Sequence, residues 1–443
     1  MIAGRDRLLA HGIGGAKDLP ISPELAIAGA VAALTVSFTV LALAWRQPRF
    51  AASRSRRAPR WLAAAVDSTA FGVAARVFGF AVFAWALMAA VFGKDVAINP
   101  FLGMFYVLLW VAIVPLSLLL GPFYRAVSPV RTINLVFAKL SGGSPEEGLY
   151  RYPERWGYWP AAFGLFAFVW MELVYTSSTA LGPVRLWFVL YVGAMLIGGA
   201  LFGNRFYERA DPFEVYSTLV AHLSPWSRDD AGALVLRTPM ANLARVPALP
   251  GLVAVVSVLF GSTAFDSFKD SNVWLQHIQS SSVSPFLQNN LMLVGFCLLV
   301  GVLFSVATAS TGVGPDQRRS RLPSLFAHSM VPIVVGYIAA HYLTYLIEVG
   351  QGTVIQMSDP FSRGDNLLGT GDWAINYWLS NQPSLLASTK VVAVVTGHVL
   401  GVVAAHDRAI ELLPRRHQLT GQLPLLIVMV CFTVSGLYLL FAA

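Results

Sequence analysis

Charge and cysteine are both scarce in this chain. Asp, Glu, Lys and Arg make up 12% of its 443 residues, against 56% hydrophobic residues. A water-soluble globule of that composition would have to expose much of its apolar surface, so a soluble domain is excluded. The two cysteines, Cys297 and Cys431, both fall inside apolar stretches, which leaves neither a CxxC metal site nor a disulfide framework. Also missing are a Walker A loop, a dinucleotide fingerprint, an HExxH helix and a nucleophile elbow. The opening stretch MIAGRDRLLAHGIGGAKDLPIS carries charges and glycines where a cleavable signal peptide needs an apolar core of roughly 7 to 15 residues. The first span is therefore expected to act as its own insertion signal. No internal repeat is evident, so the inverted symmetry of many secondary transporters is not visible either.

What the sequence does have is long apolar runs. Stretches of roughly 17 to 24 residues recur along it, each long enough to cross about 30 Å of hydrocarbon as a helix. They predict an all-α polytopic transmembrane helical bundle of about ten spans, at 23–45, 74–92, 101–120, 160–175, 184–202, 248–265, 286–310, 324–348, 384–405 and 423–442. Residues 1–22 form a tail, and 23–443 read as a single transmembrane helical domain. The net charge of +8 comes from basic residues that fall in alternate loops, so it reports topology and not nucleic-acid binding. Arg46, Arg49, Arg54, Arg56, Arg57 and Arg60 place the loop 46–73 in the cytoplasm, and alternation then places 121–159, 203–247, 311–323 and 406–422 there too. Both termini are expected outside, with the long outer loop 349–383. The partner this implies is the lipid bilayer, with other membrane subunits as further candidates and no nucleic acid.

Two of these helices carry two histidines each, His328 with His341 and His398 with His406, the last at the inner boundary of its span. An ionisable group at lipid depth costs several kcal/mol unless partnered, so such residues mark functional sites. By depth, His328, His398 and His406 share the inner half, and the eight residues from His398 to His406 turn the helix by about 80° net, a shared side. A neutral imidazole pair at that level suits a metal ion or one haem, with Asp407 as the partner that orients a ligating histidine. The expected cofactor is haem b or an iron, copper or zinc ion.

A second constellation maps to the outer third: Glu172 within an apolar helix, Asp266 at a span end, and His341. A carboxylate beside an imidazole there makes a metal site or a proton relay. His11, in the glycine-bearing tail, is placed to cap the same outer site, as is His277. Lys390 is expected to snorkel outward.

Several motifs look familiar together. HGIGGAKDLP from His11, YWPAAFGLFAFVWMELV from Tyr158, FAHSMVPI with AAHY around His328 and His341, and GHVLGVVAAHDRA from Gly397 resemble a bacterial, largely actinobacterial, family of multi-pass membrane proteins commonly labelled fenitrothion hydrolase. The resemblance runs over nearly the whole chain and implies the cytoplasmic membrane as location. The label implies hydrolysis of an organophosphate triester, and the residues that map onto the family's motifs are His11, His328, His341, His398, His406 and Asp407.

Three functions follow as expectations. The foremost is a metal or haem protein in electron transfer, or a subunit of a membrane redox complex. The alternatives are a metal-dependent membrane hydrolase, and a transporter for a cation or small solute.

Overall fold

The computed structural model describes residues 18–50, 54–313 and 317–442, and it is helical almost throughout. Among the described residues, eight helices are long and apolar enough to cross a membrane. In chain order the elements used below are α1 (Pro23–Ala44), α2 (Thr69–Phe92), α3 (Ile113–Leu120), α4 (Pro129–Leu140), α5 (Trp159–Leu173), α6 (Leu181–Phe202), α7 (Asn204–Ala210) and α8 (Pro212–Ala221). They continue with α9 (Leu252–Lys269), α10 (Pro285–Ala309), α11 (Met330–His341), α12 (Pro383–Leu412) and α13 (Leu423–Ala442). Helix starts follow local chemistry. Ser22 and Ser68 accept from the amides of Leu25 and Phe71, and Pro23 sits in the first turn, where its missing N–H costs nothing.

The count differs from the ten expected spans at two places. Residues 101–120 do not form one helix: Met104–Val111 is π-helical, Pro115 lacks the amide that would bond one turn back, and the halves Pro100–Val111 and Ile113–Leu120 meet at 43°. Helix α5 has 15 residues, about 22 Å of rise, short of a full crossing. The all-α class and the multi-pass pattern stand on the remaining eight.

The chain divides into two compact units. One comprises Ser55–Leu236 with Thr344–Tyr377, and the other Arg237–Leu343 with Trp378–Ala443 and the segment ending at Arg54.

The first unit has an aromatic interior, with Phe101, Phe105, Trp110, Phe168, Phe213 and Tyr216 buried. Its basic loops are tied to one another. Arg56–Arg57 pairs antiparallel with Val235–Leu236, and Trp226–Arg228 pairs on the other side of that strand. Arg228 reaches Asp67 at 2.6 Å, and Arg125 reaches Glu208 at 2.9 Å. Within this unit the basic segments 54–73, 121–159 and 203–236 are thereby held in contact with one another.

The second unit is built around α11 and α12. Their backbones touch: a methyl group added to Gly336 would lie 2.5 Å from the Ala393 carbonyl oxygen, and one added to Gly397 would lie 2.5 Å from that of Pro332. Small residues permit this approach, and van der Waals packing then holds the helices together where lipid offers no hydrophobic contrast. A third such contact sets Gly401 against the Ser329 carbonyl oxygen.

Candidate functional site

In the second unit, helix α9 carries Asp266 and Ser267 near its end, and α11 ends with Tyr337 one turn before His341, followed by Tyr342. All five are buried. His341 Nε2 lies 2.8 Å from Asp266 Oδ2, and Tyr342 donates its hydroxyl to the same oxygen at 2.8 Å. Lys269 places its ammonium 3.0 Å from Asp266 Oδ1. On the other ring nitrogen, Ser267 Oγ is 3.1 Å from His341 Nδ1, and Tyr337 donates to Ser267 Oγ at 3.0 Å. Asp270, one residue past α9, has its carboxyl pushed up from the ordinary value, first by burial and further by Asp266.

One imidazole tautomer gives the contacts a consistent direction. When Nε2–H donates to Asp266, Nδ1 accepts from Ser267, which accepts from Tyr337. The chain Tyr337, Ser267, His341, Asp266 is then a set of proton donors in series, ending at a carboxylate held by two further donors. Ser267 also lies 3.3 Å from the Thr263 carbonyl oxygen, an alternative acceptor for its proton. The atoms of a Ser–His–Asp set are present, but Ser267 is only 1% exposed, which leaves no surface for attack on an ester.

The inner histidines do not converge. His406 has both ring nitrogens engaged, Nδ1 at 3.0 Å from Gln422 Oε1 and Nε2 at 3.1 Å from the Trp45 carbonyl oxygen. Asp407 accepts from Trp45 Nε1 at 3.0 Å and from the amides of Arg49 at 2.7 Å and Phe50 at 3.3 Å. The pair clamps the chain leaving α1. His328 sits in the short turn Ala327–Ser329, with Nδ1 3.1 Å from the Leu325 carbonyl oxygen. His398 faces Phe260, whose ring centroid is 6.5 Å away. Its Nδ1 is 2.9 Å from the Val394 carbonyl oxygen, and its Nε2 is buried with no hydrogen-bond partner among the described residues.

No family model, curated protein or solved structure matches the chain.

Of the outer set, the structure joins His341 to Asp266 and places Glu172 in the other unit, on α5. His11 lies outside the described residues. Among the described residues no three of His, Cys, Asp and Glu come together in a way that would hold a metal ion. Lys390, expected to snorkel, is 3% exposed and lies within electrostatic reach of Asp18. Ser267, Tyr337 and Tyr342 were missed by sequence reasoning. The available signal was their position, beside Asp266 or within a turn of His341, on faces where a hydroxyl at lipid depth needs a partner.

Proposed function

We propose that this chain is a multi-pass protein of the cytoplasmic membrane that moves protons together with a small polar solute or cation, using Asp266 and His341 as its protonatable pair. The observation that carries this reading is the buried series from Tyr337 through Ser267 and His341 to Asp266. In it a proton arriving at Tyr337 is passed on as Ser267 protonates Nδ1 and Nε2 releases its own proton to Asp266. Rotation of the hydroxyls and exchange of the imidazole tautomer then reset the series. Ionisable chains of this kind at lipid depth are a recurring feature of proton pathways in pumps and transporters.

The test is proton uptake into proteoliposomes loaded with a pH-sensitive dye under an imposed potential. Flux above that of empty liposomes, lost in Asp266→Asn, is the expected result. Wild-type flux equal to that of empty liposomes, or undiminished flux in Asp266→Asn, overturns the assignment.

A second reading, haem b or a metal ion in electron transfer, is favoured by His398. Its Nδ1 is fixed on a backbone carbonyl, the orientation that leaves Nε2 as a ligand lone pair. A visible spectrum and elemental analysis of the detergent-solubilised protein decide it. Absence of both a Soret band and stoichiometric metal removes it.

A further inference from the structure

The aromatic interior of the first unit holds four oxidisable rings, Tyr216, Trp110, Trp187 and Tyr191, with Phe168 between Trp110 and Trp187. Tyr216 lies 5.1 Å from Trp110, Trp110 lies 4.8 Å from Phe168, and Phe168 lies 5.6 Å from Trp187, centroid to centroid. Trp187 then stacks on Tyr191, one turn further along α6, at 5.6 Å and an interplanar angle of 13°. Ordinary packing accounts for burial of these rings. It does not account for what the last ring meets.

Tyr191 donates its hydroxyl to Asp211 Oδ1 at 3.1 Å, and its oxygen lies 3.3 Å from that of Tyr124. Asp211 is fully buried, and its Oδ2 has no hydrogen-bond partner among the described residues. Its Oδ1 also caps α8, accepting from the amides of Phe213 and Glu214. A phenol that loses an electron becomes strongly acidic and must give up its proton. A carboxylate at hydrogen-bond distance with an open oxygen is the acceptor such a site needs. Burial, with the Glu214 carboxylate adding to it, pushes Asp211 up to about 7, which makes it a better proton acceptor than an ordinary carboxylate.

We propose that Tyr191 is a one-electron redox site, oxidised by way of the stacked Trp187, and that its phenol proton passes to Asp211 on oxidation. An outer-sphere one-electron oxidant takes an electron from Trp187, and the resulting indole radical cation takes one from Tyr191. The Tyr191 O–H bond breaks, the proton bonds to Asp211, and the products are a neutral tyrosyl radical, a protonated carboxyl and the reduced oxidant. Re-reduction reverses each step. This site belongs to the first unit and does not depend on the proton pathway proposed for the second.

The experiment is flash oxidation of the detergent-solubilised full chain with photogenerated ruthenium(III) tris-bipyridine, in mildly alkaline buffer where Asp211 is ionised. The radical is read by electron paramagnetic resonance. A long-lived neutral tyrosyl signal is expected, absent in Tyr191→Phe, which keeps the ring and its stacking. Asp211→Asn is the second variant, because asparagine caps a helix as well as aspartate does. It should lower the yield by more than about tenfold, the factor for a single unit of basicity, because an amide oxygen is a far weaker base than a carboxylate. No signal in the wild type, the same signal in Tyr191→Phe, or an unchanged yield in Asp211→Asn overturns the proposal.

Discussion

His341 Nε2 and Asp266 Oδ2 are 2.8 Å apart although 75 residues separate them in the chain, and both side chains are almost wholly buried. This bond makes α9 and α11 one polar unit. Its far end is Tyr337, whose hydroxyl supplies Ser267. Tyr337→Phe therefore removes the first donor of the series and leaves Asp266 and His341 paired. It is expected to cost about 0.5–1.5 kcal/mol of stability, the net worth of one hydrogen bond. Proton flux into proteoliposomes should fall far more than that modest loss of folding explains.

Asp407 gathers three donors from the segment that leaves α1. Asp407→Ala removes the acceptor of these part-buried bonds, and each bond lost costs about 0.5–1.5 kcal/mol. A lower melting temperature with an unchanged visible spectrum and unchanged metal content is the expected result, since the residue clamps a chain exit. Asp407→Asn, which keeps one carbonyl oxygen, should recover part of the loss.

The apolar spans were legible because hydropathy over about twenty residues is a property of the segment alone. The break between Val111 and Ile113 was not, even though Pro115 stands in plain view, because a bend depends on whether the freed backbone groups find partners. The histidines show the same division. Their burial was readable, and so was the shared side of His398 and His406. But one helix face meets different neighbours at different heights, Phe260 at His398 and the end of α1 at His406. The His406 partner Trp45 lies 361 residues away, beyond anything spacing reveals. Asp266 and His341 were both selected as outer-site residues, and the structure joins them. The hydroxyls that turn the pair into a series escaped notice because serine and tyrosine are common in such helices.

Gly397 presents its backbone to Pro332 across the α11–α12 contact, where a methyl group would lie 2.5 Å from a carbonyl oxygen. Backbone cannot swing aside as a flexible side chain does. Gly397→Ala should therefore cost about 1–3 kcal/mol, the usual range for overpacking. Thermal unfolding in detergent measures it, with Gly295→Ala, which meets nothing within 4 Å, as the control expected to be near neutral.

Asp211 gives a signed pH dependence. Its folded value of about 7 lies above the ordinary carboxylate value of 3.8, so between those limits the folded state holds more protons than the unfolded one. Stability from this group is present at low pH and lost as pH rises through about 7. Melting temperatures measured on either side of neutrality should fall with rising pH in the wild type, and the fall should be smaller in Asp211→Asn.

Arg131 and Glu214 form a buried bidentate pair, with Nε and Nη2 each 2.6 Å from a carboxylate oxygen, between α4 and α8. Arg131 also donates to the Asn204 carbonyl oxygen at 3.3 Å, and its guanidinium lies 5.2 Å from the centre of the Tyr207 ring. Losing one partner strands a charge away from water, at a cost of about 3–5 kcal/mol. Losing both leaves no stranded charge, and well-packed apolar replacements of similar volume are often neutral. Arg131→Met and Glu214→Leu should thus each destabilise the protein strongly, and the double variant should be more stable than either single one. A double-mutant cycle on thermal unfolding reads the coupling directly. Additive losses would mean that the pair acts through packing, the guanidinium on Tyr207 and the carboxylate stem within α8, with the ionic contact contributing nothing net.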